Sequence, residues 1–140
     1  MKNTINTCLW FDGQAKEAAE FYCSIFENSK ITVDTPMVVN FELNGRKFMG
    51  LNGGPQFKFN EAISMVVDCE TQEEIDYYWS ELTEGGEEGQ CGWLKDKFGM
   101  SWQIVPTVLG QLMTDPEKIQ RVMPVYMQMK KFDIETLKNA

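Results

Sequence analysis

CGWLKDKFGMSWQIVP, Cys91 to Pro106, decides the fold. It reads as a strand, a tight turn and a second strand. Lys97-Phe98-Gly99-Met100 supplies the turn, and Gly99 can take the positive φ that hairpin turns often demand. Beyond the turn, Ser101, Gln103 and Val105 point to one face, and Met100, Trp102 and Ile104 to the other.

Working back from this hairpin, Thr71 to Leu82 is predicted as a helix. Thr71 with Glu74 three residues on is a capping-box pattern, and Ile75, Tyr78, Trp79 and Leu82 form its apolar stripe. Ala62 to Cys69 precedes it as a strand, Gly85-Gly86 stops it, and a Glu-Gly-rich linker leads into the hairpin.

The same order occurs once before. Ile5 to Phe11 reads as a strand ended by Asp12-Gly13. Gln14 to Phe26 is a helix with the stripe Ala15, Ala18, Ala19, Tyr22 and Phe26, and Asp12 is its expected N-cap. Lys30–Asp34, Met37–Leu43 and Arg46–Asn52 read as strands, with Asn44-Gly45 a strong hairpin signal. Laid without gaps, FDGQAKEAAEFYCSIF sits over VDCETQEEIDYYWSEL: Asp12 meets Asp68, Phe21-Tyr22 meets Tyr77-Tyr78, and Ser24 meets Ser80. Gly45 to Phe48 likewise sits over Gly99 to Trp102. Each half is strand–helix–strand–strand–strand. Two copies are too few for a solenoid, so two copies closing one pocket is the better reading. Thr107 onward is helical. Asp115-Pro116 starts a helix toward Lys130 that Pro124 should kink or break, and Asp133 caps a last short one.

The chain has 140 residues, which suits one α+β domain: repeat one about 3–55, repeat two about 60–106, C-terminal helices 107–140. A hydrophobic content of 43% excludes disorder, and no apolar run approaches the roughly 18 residues of a transmembrane helix. Met1 to Asn6 is polar, with no signal-peptide core, so the expected home is the cytoplasm. A net charge of −8 argues against nucleic acid and membrane as partners. The four cysteines are scattered, which suggests apolar filler in a reducing compartment. With no histidine in the chain, a nucleophilic cysteine lacks its usual base.

The doubled βαβββ unit, with a Phe-Tyr-bearing helix after its first strand, resembles the vicinal-oxygen-chelate superfamily of glyoxalase I, bleomycin-resistance proteins and extradiol dioxygenases. LWFDGQAKEAAEFYCSIF (Leu9–Phe26), LNGGPQFKFNEAIS (Leu51–Ser64) and CGWLKDKFGMSWQIVP resemble the PhnB-like proteins, labelled 3-demethylubiquinone-9 3-methyltransferase-like. The resemblance implies a curved mixed sheet around a pocket and a twofold homodimer, for which Met123, Tyr126, Met127 and Met129 offer apolar surface.

In metal-using members of the superfamily, ligands come from the first and last strands of each repeat. Carried over, those positions are Thr7, Met49, Ala62 and Gln103, or Cys8 and Ile63 if the first-strand pair shifts by one. This set does not meet the demands of zinc, nickel or iron, so no metal and no other cofactor is expected. A carboxylate from a loop, such as Glu61 or Asp96, could still rescue a metal site.

The same parity nominates a pocket wall. Its ligand-binding candidates are Thr7, Leu9, Met49, Leu51, Ser64, Trp93, Ser101 and Gln103, alongside Phe11, Lys47, Ala62, Val66 and Val105. Trp10, Tyr22, Trp79, Trp102 and Ile104 should instead pack between helix and sheet. Asp96 beside Trp93 and Gln103 is the one catalytic idea; otherwise Asp12, Asp68 and Asp96 read as caps and turn residues. Neither glycine pair sits at the strand-to-helix turn that S-adenosylmethionine binding commonly uses. Three readings stand: a metal-independent binder of a small molecule, an enzyme on a small, partly apolar substrate, and an interaction module with a vestigial pocket.

Overall fold

The computed structural model describes residues 2–140; Met1, at the head of the polar Met1–Asn6 segment, lies outside them. The chain forms two compact units, divided between Phe59 and Asn60.

The first unit runs β1 (Thr7–Phe11), α1 (Ala15–Ile25), β2 (Lys30–Asp34), β3 (Val38–Leu43) and β4 (Arg46–Asn52). Its sheet order is β1-β4-β3-β2, with β1 parallel to β4 and the other pairs antiparallel. Asn44 and Gly45 take φ of 49° and 85° in the β3–β4 turn, as their sequence signals. Ala15, Ala18, Ala19, Tyr22 and Ile25 are buried on α1, so Ile25 rather than Phe26 completes the stripe. Phe26 is the C-cap in extended conformation, its N–H donating to Tyr22 O at 3.1 Å.

Helix and sheet approach closely at Gly50, where an added Cβ would lie 3.1 Å from Ala15 Cβ and 3.2 Å from Val39 O. Asp12 does not cap α1. Gln14 holds the N-cap position without a side-chain bond, and Asn52, at the end of β4, accepts from Ala15 N–H at 2.9 Å. Its amide also donates to Pro36 O at 2.9 Å, so one side chain joins the helix start to the sheet.

The second unit repeats the plan with β5 (Ser64–Cys69), α2 (Gln72–Thr83), β6 (Glu87–Glu88), β7 (Trp93–Lys95) and β8 (Ser101–Pro106), in sheet order β5-β8-β7-β6. The Thr71–Glu74 capping box is formed. In the hairpin, Gly99 has φ 87° and its N–H donates to Asp96 O at 2.9 Å, so the turn opens at Asp96. Trp79, Trp102 and Ile104 are buried.

α3 (Thr107–Met113), α4 (Pro116–Tyr126) and α5 (Ile134–Lys138) follow. Asp115 and Asp133 cap α4 and α5 as expected. α4 passes through Pro124 but ends at Tyr126, short of Lys130; from Gln128 the chain tightens into i→i−3 bonds. Leu109, Val122, Phe132 and Leu137 form the core of these helices. Gln72 ties that core to α2, donating to Phe132 O at 2.9 Å and accepting from Ile134 N–H at 2.8 Å. Among the described residues no helix is long and apolar enough to cross a membrane.

Candidate functional site

In the second unit the β8 alternation sorts side chains cleanly. Trp102 and Ile104 face α2, while Ser101, Gln103 and Val105 face away from it. Ser64 pairs in register with Ser101, and Trp93 with Gln103, so four sequence-predicted residues share one face. Gln103 Nε2 donates to Ser64 Oγ at 2.9 Å.

Lys95 pairs in register with Ser101, and Glu87 with Lys95, which extends this face to the sheet edge. A cavity of about 290 Å³ opens here, lined by Glu61, Glu87, Trp93, Lys95 and Ser101 among others. Ser101 is 0% exposed, and its Oγ has no hydrogen-bond partner among the described residues. Lys95 forms an ion pair with Glu61. The hydrogen bond to Glu61, then its charge, then that of Glu87 hold the Lys95 ammonium above its usual pKa, and the bond from Lys95 holds Glu61 below its own.

The first unit corrects the sequence reading on β1. Leu9 and Phe11 are 4% and 3% exposed. Leu9 is in register with Gly50, whose Cβ direction leads to Ala15 and Phe11, so both lie on the α1 side rather than on a pocket wall. Thr7 shares their parity but is exposed at the start of the strand. Cys8 and Trp10 pair with Met49 and Leu51 on the face away from α1. Trp10 therefore does not pack between helix and sheet. Its indole N–H donates to Gly54 O at 2.9 Å, and its ring meets Phe57 edge-on at 4.9 Å. A cavity of about 350 Å³ on this unit is lined by Asn40, Glu42, Lys47 and Met49 among others, with Asn40 Oδ1 buried and unpartnered.

Asp96 is also placed differently from the catalytic idea. It is 3% exposed and points to the α2 side, away from Gln103. Its Oδ1 accepts from Phe98 and Met100 N–H at 2.8 and 3.1 Å, and its Oδ2 from the Trp102 indole at 2.8 Å. The carboxylate organises the hairpin.

The positions that the resemblance assigns to metal ligands hold a poor donor set. Ala62 and Ile63 precede β5, both exposed, and the residue in register with Gln103 is Val66. Cys8 lies beside Met49. Among the described residues no three His, Cys, Asp or Glu side chains converge on a point. A thiol, a thioether, a valine and an amide already bonded to serine do not fit a divalent transition metal.

Residues 3–105 match the family model described as 3-demethylubiquinone-9 3-methyltransferase. The chain belongs to that family. The PhnB protein from Bacillus cereus is 34% identical, with a TM-score of 0.68, and the match covers 75% of this chain and 100% of that one. Two further structures share the fold: the fosfomycin resistance protein FosX from Listeria monocytogenes (15% identity, TM-score 0.57, 79% and 98% of the two chains) and a glyoxalase-related enzyme from Fulvimarina pelagi (11%, 0.53, 76% and 90%). These two likenesses extend to the fold, the glyoxalase-like arrangement that the doubled βαβββ unit leads one to expect. No protein of curated function matches the sequence.

Within this family member, sequence reasoning missed the polar rim of the second cavity. Lys95 was legible from the parity that placed Trp93. Glu87 was not, because β6 is only two residues long and sits in what reads as a linker. Asn40 shares the parity that places Lys47 and Met49.

Proposed function

We propose that this protein binds a small, partly apolar molecule without a metal, on the face of the second unit that carries Ser64, Trp93, Ser101 and Gln103. The observation that carries this reading is the Ser101 hydroxyl, fully buried and unpartnered beside a cavity that one aromatic ring and several polar groups line. A buried hydroxyl without a partner costs stability, and a ligand that hydrogen-bonds to it removes the cost. The Gln103 amide, which both donates and accepts, is positioned to orient the same molecule. Met49 and Leu51 are candidates for ligand contact in their own unit; Leu9, buried on the α1 side, is not.

The family name raises an enzymatic alternative, a methyl transfer. Its support in the residues is thin. Gly53-Gly54 leads from β4 into a loop and then β5, and Gly85-Gly86 follows α2, so neither pair forms a strand-to-helix turn. Sequestration of the ligand, without chemistry, is the reading that the site supports better.

A thermal-shift screen against a fragment library tests the proposal. Compounds that raise the melting temperature of the wild type should lose that effect with Ser101→Ala or Gln103→Ala. Hits indifferent to both substitutions would overturn it.

We also propose a homodimer in the cytoplasm. Met123 and Met127 are exposed on and just beyond α4, and all four cysteines are free thiols. Tyr126 and Met129 pack inward against the C-terminal core, so the surface for such a contact is narrower than the sequence suggests. Sedimentation showing only monomer at micromolar concentration would contradict it.

A further inference from the structure

We infer that the molecule bound at the second unit's cavity carries a cationic amine next to an apolar, preferably aromatic, body. This rests on the reading above that the cavity is a ligand site, and adds the charge of the ligand.

The charges around the cavity are unequal. Glu61, Glu87 and Glu88 line it, against the single basic side chain Lys95. Lys95 is already paired with Glu61. It also feels the charge of Glu87, its in-register neighbour across the β6–β7 ladder. Glu88 is committed elsewhere, accepting the Trp79 indole N–H at 2.6 Å. An anionic ligand would therefore have to displace a carboxylate from the one cation present. An ammonium can reach the Glu87 carboxylate without breaking the Lys95–Glu61 pair.

Three groups at the cavity suit an ammonium. Glu87 offers a carboxylate that forms no ion pair of its own among the described residues. Trp93 offers an indole, the best of the aromatic faces for a cation. The Ser101 hydroxyl, 0% exposed and unpartnered, can accept an N–H from the ligand. The protein's net charge of −8 adds a long-range attraction for cations. The cavity volume of about 290 Å³ lies at the small end of ligand pockets, so the apolar body is small.

Calorimetry with three matched probes tests the inference: 2-phenylethylamine, 2-phenylethanol and phenylacetate, with the full-length protein. The amine should bind about tenfold more tightly than the alcohol, as expected for one charge-assisted contact, and the acid most weakly. Glu87→Gln, on an exposed edge strand where folding is not at risk, should remove the amine's advantage and leave the alcohol unchanged. Raising the salt should narrow the gap.

Equal binding of amine and alcohol, tighter binding of the acid, or an amine preference that survives Glu87→Gln would each overturn the inference. So would no binding of any probe. If the screening hits remain sensitive to Ser101→Ala in those cases, the ligand site stands and only its charge preference falls.

Discussion

Replacing Ser101 by alanine should make the protein more stable, which is the reverse of the usual effect of a core substitution. Ser101 is 0% exposed and its Oγ finds no partner among the described residues. Burying a hydroxyl without a hydrogen bond costs roughly 1–3 kcal/mol. Deleting one oxygen leaves a small void, which returns only a few tenths of a kcal/mol. The net gain is about 1–2 kcal/mol. For a chain of this size that is a rise of about 3–8 °C in melting temperature.

The assay is urea unfolding of both proteins without ligand, backed by a thermal scan. Ser64→Ala is the control. It removes the acceptor of the Gln103 amide and should lower stability by about 0.5–1.5 kcal/mol. The two serines face each other in register, so opposite signs at neighbouring positions would locate the strain at one hydroxyl. A loss of more than about 1 kcal/mol in Ser101→Ala would show that the hydroxyl is well satisfied, and would remove the observation on which the functional reading stands.

Other outcomes follow from the same structure. Asp96→Ala should destabilise by about 3–5 kcal/mol, because Met100 N–H and the buried Trp102 indole lose their acceptor together; denaturant titration measures it, and a change under about 1 kcal/mol would contradict the structural role. Burial, with the charges of Glu74 and Asp68, pushes the Cys69 thiol up from 9.0 to about 12. A thiol reagent at pH 8 should therefore modify the exposed Cys8 and spare Cys69 until unfolding. The sign for stability follows: between about pH 9 and 12 the unfolded thiol ionises and the folded one does not, so stability falls with rising pH, and Cys69→Ala should flatten that fall. Elemental analysis after chelator-free purification should find well below one transition metal per chain; near one per chain, lost on Gln103→Ala, would restore a metal site.

The second unit was more legible in sequence than the first, and the reason is the spacing of polar residues. In β8, Ser101 and Gln103 alternate with Trp102 and Ile104, so parity could be read directly. In β1 bulk stands on both faces: Leu9 and Phe11 fill the core under α1, while Cys8 and Trp10 line the other side. No alternation separates them, and a parity carried over from relatives came out inverted.

Caps divide in the same way. The Thr71–Glu74 box is local and visible in a four-residue window. The α1 start depends on Asn52, which is distant in sequence and brought close only by the sheet. The polar rim at Glu87 needed a strand pairing that two residues cannot announce. Asp96 reads from sequence as a turn residue, and it is one; its bond to the Trp102 indole, which turns it away from Gln103, needs the hairpin to be folded.

The side-chain resonances of Trp93 and Gln103 report directly on a metal-independent ligand site on the second unit's sheet. A nitrogen-15 labelled sample titrated with the strongest stabilising compound from the fragment screen should shift the Trp93 indole and Gln103 amide signals in step with saturation. The Trp102 indole, bonded to Asp96 on the opposite face, should move little. Saturating binding that leaves the Trp93 and Gln103 signals in place would contradict the account.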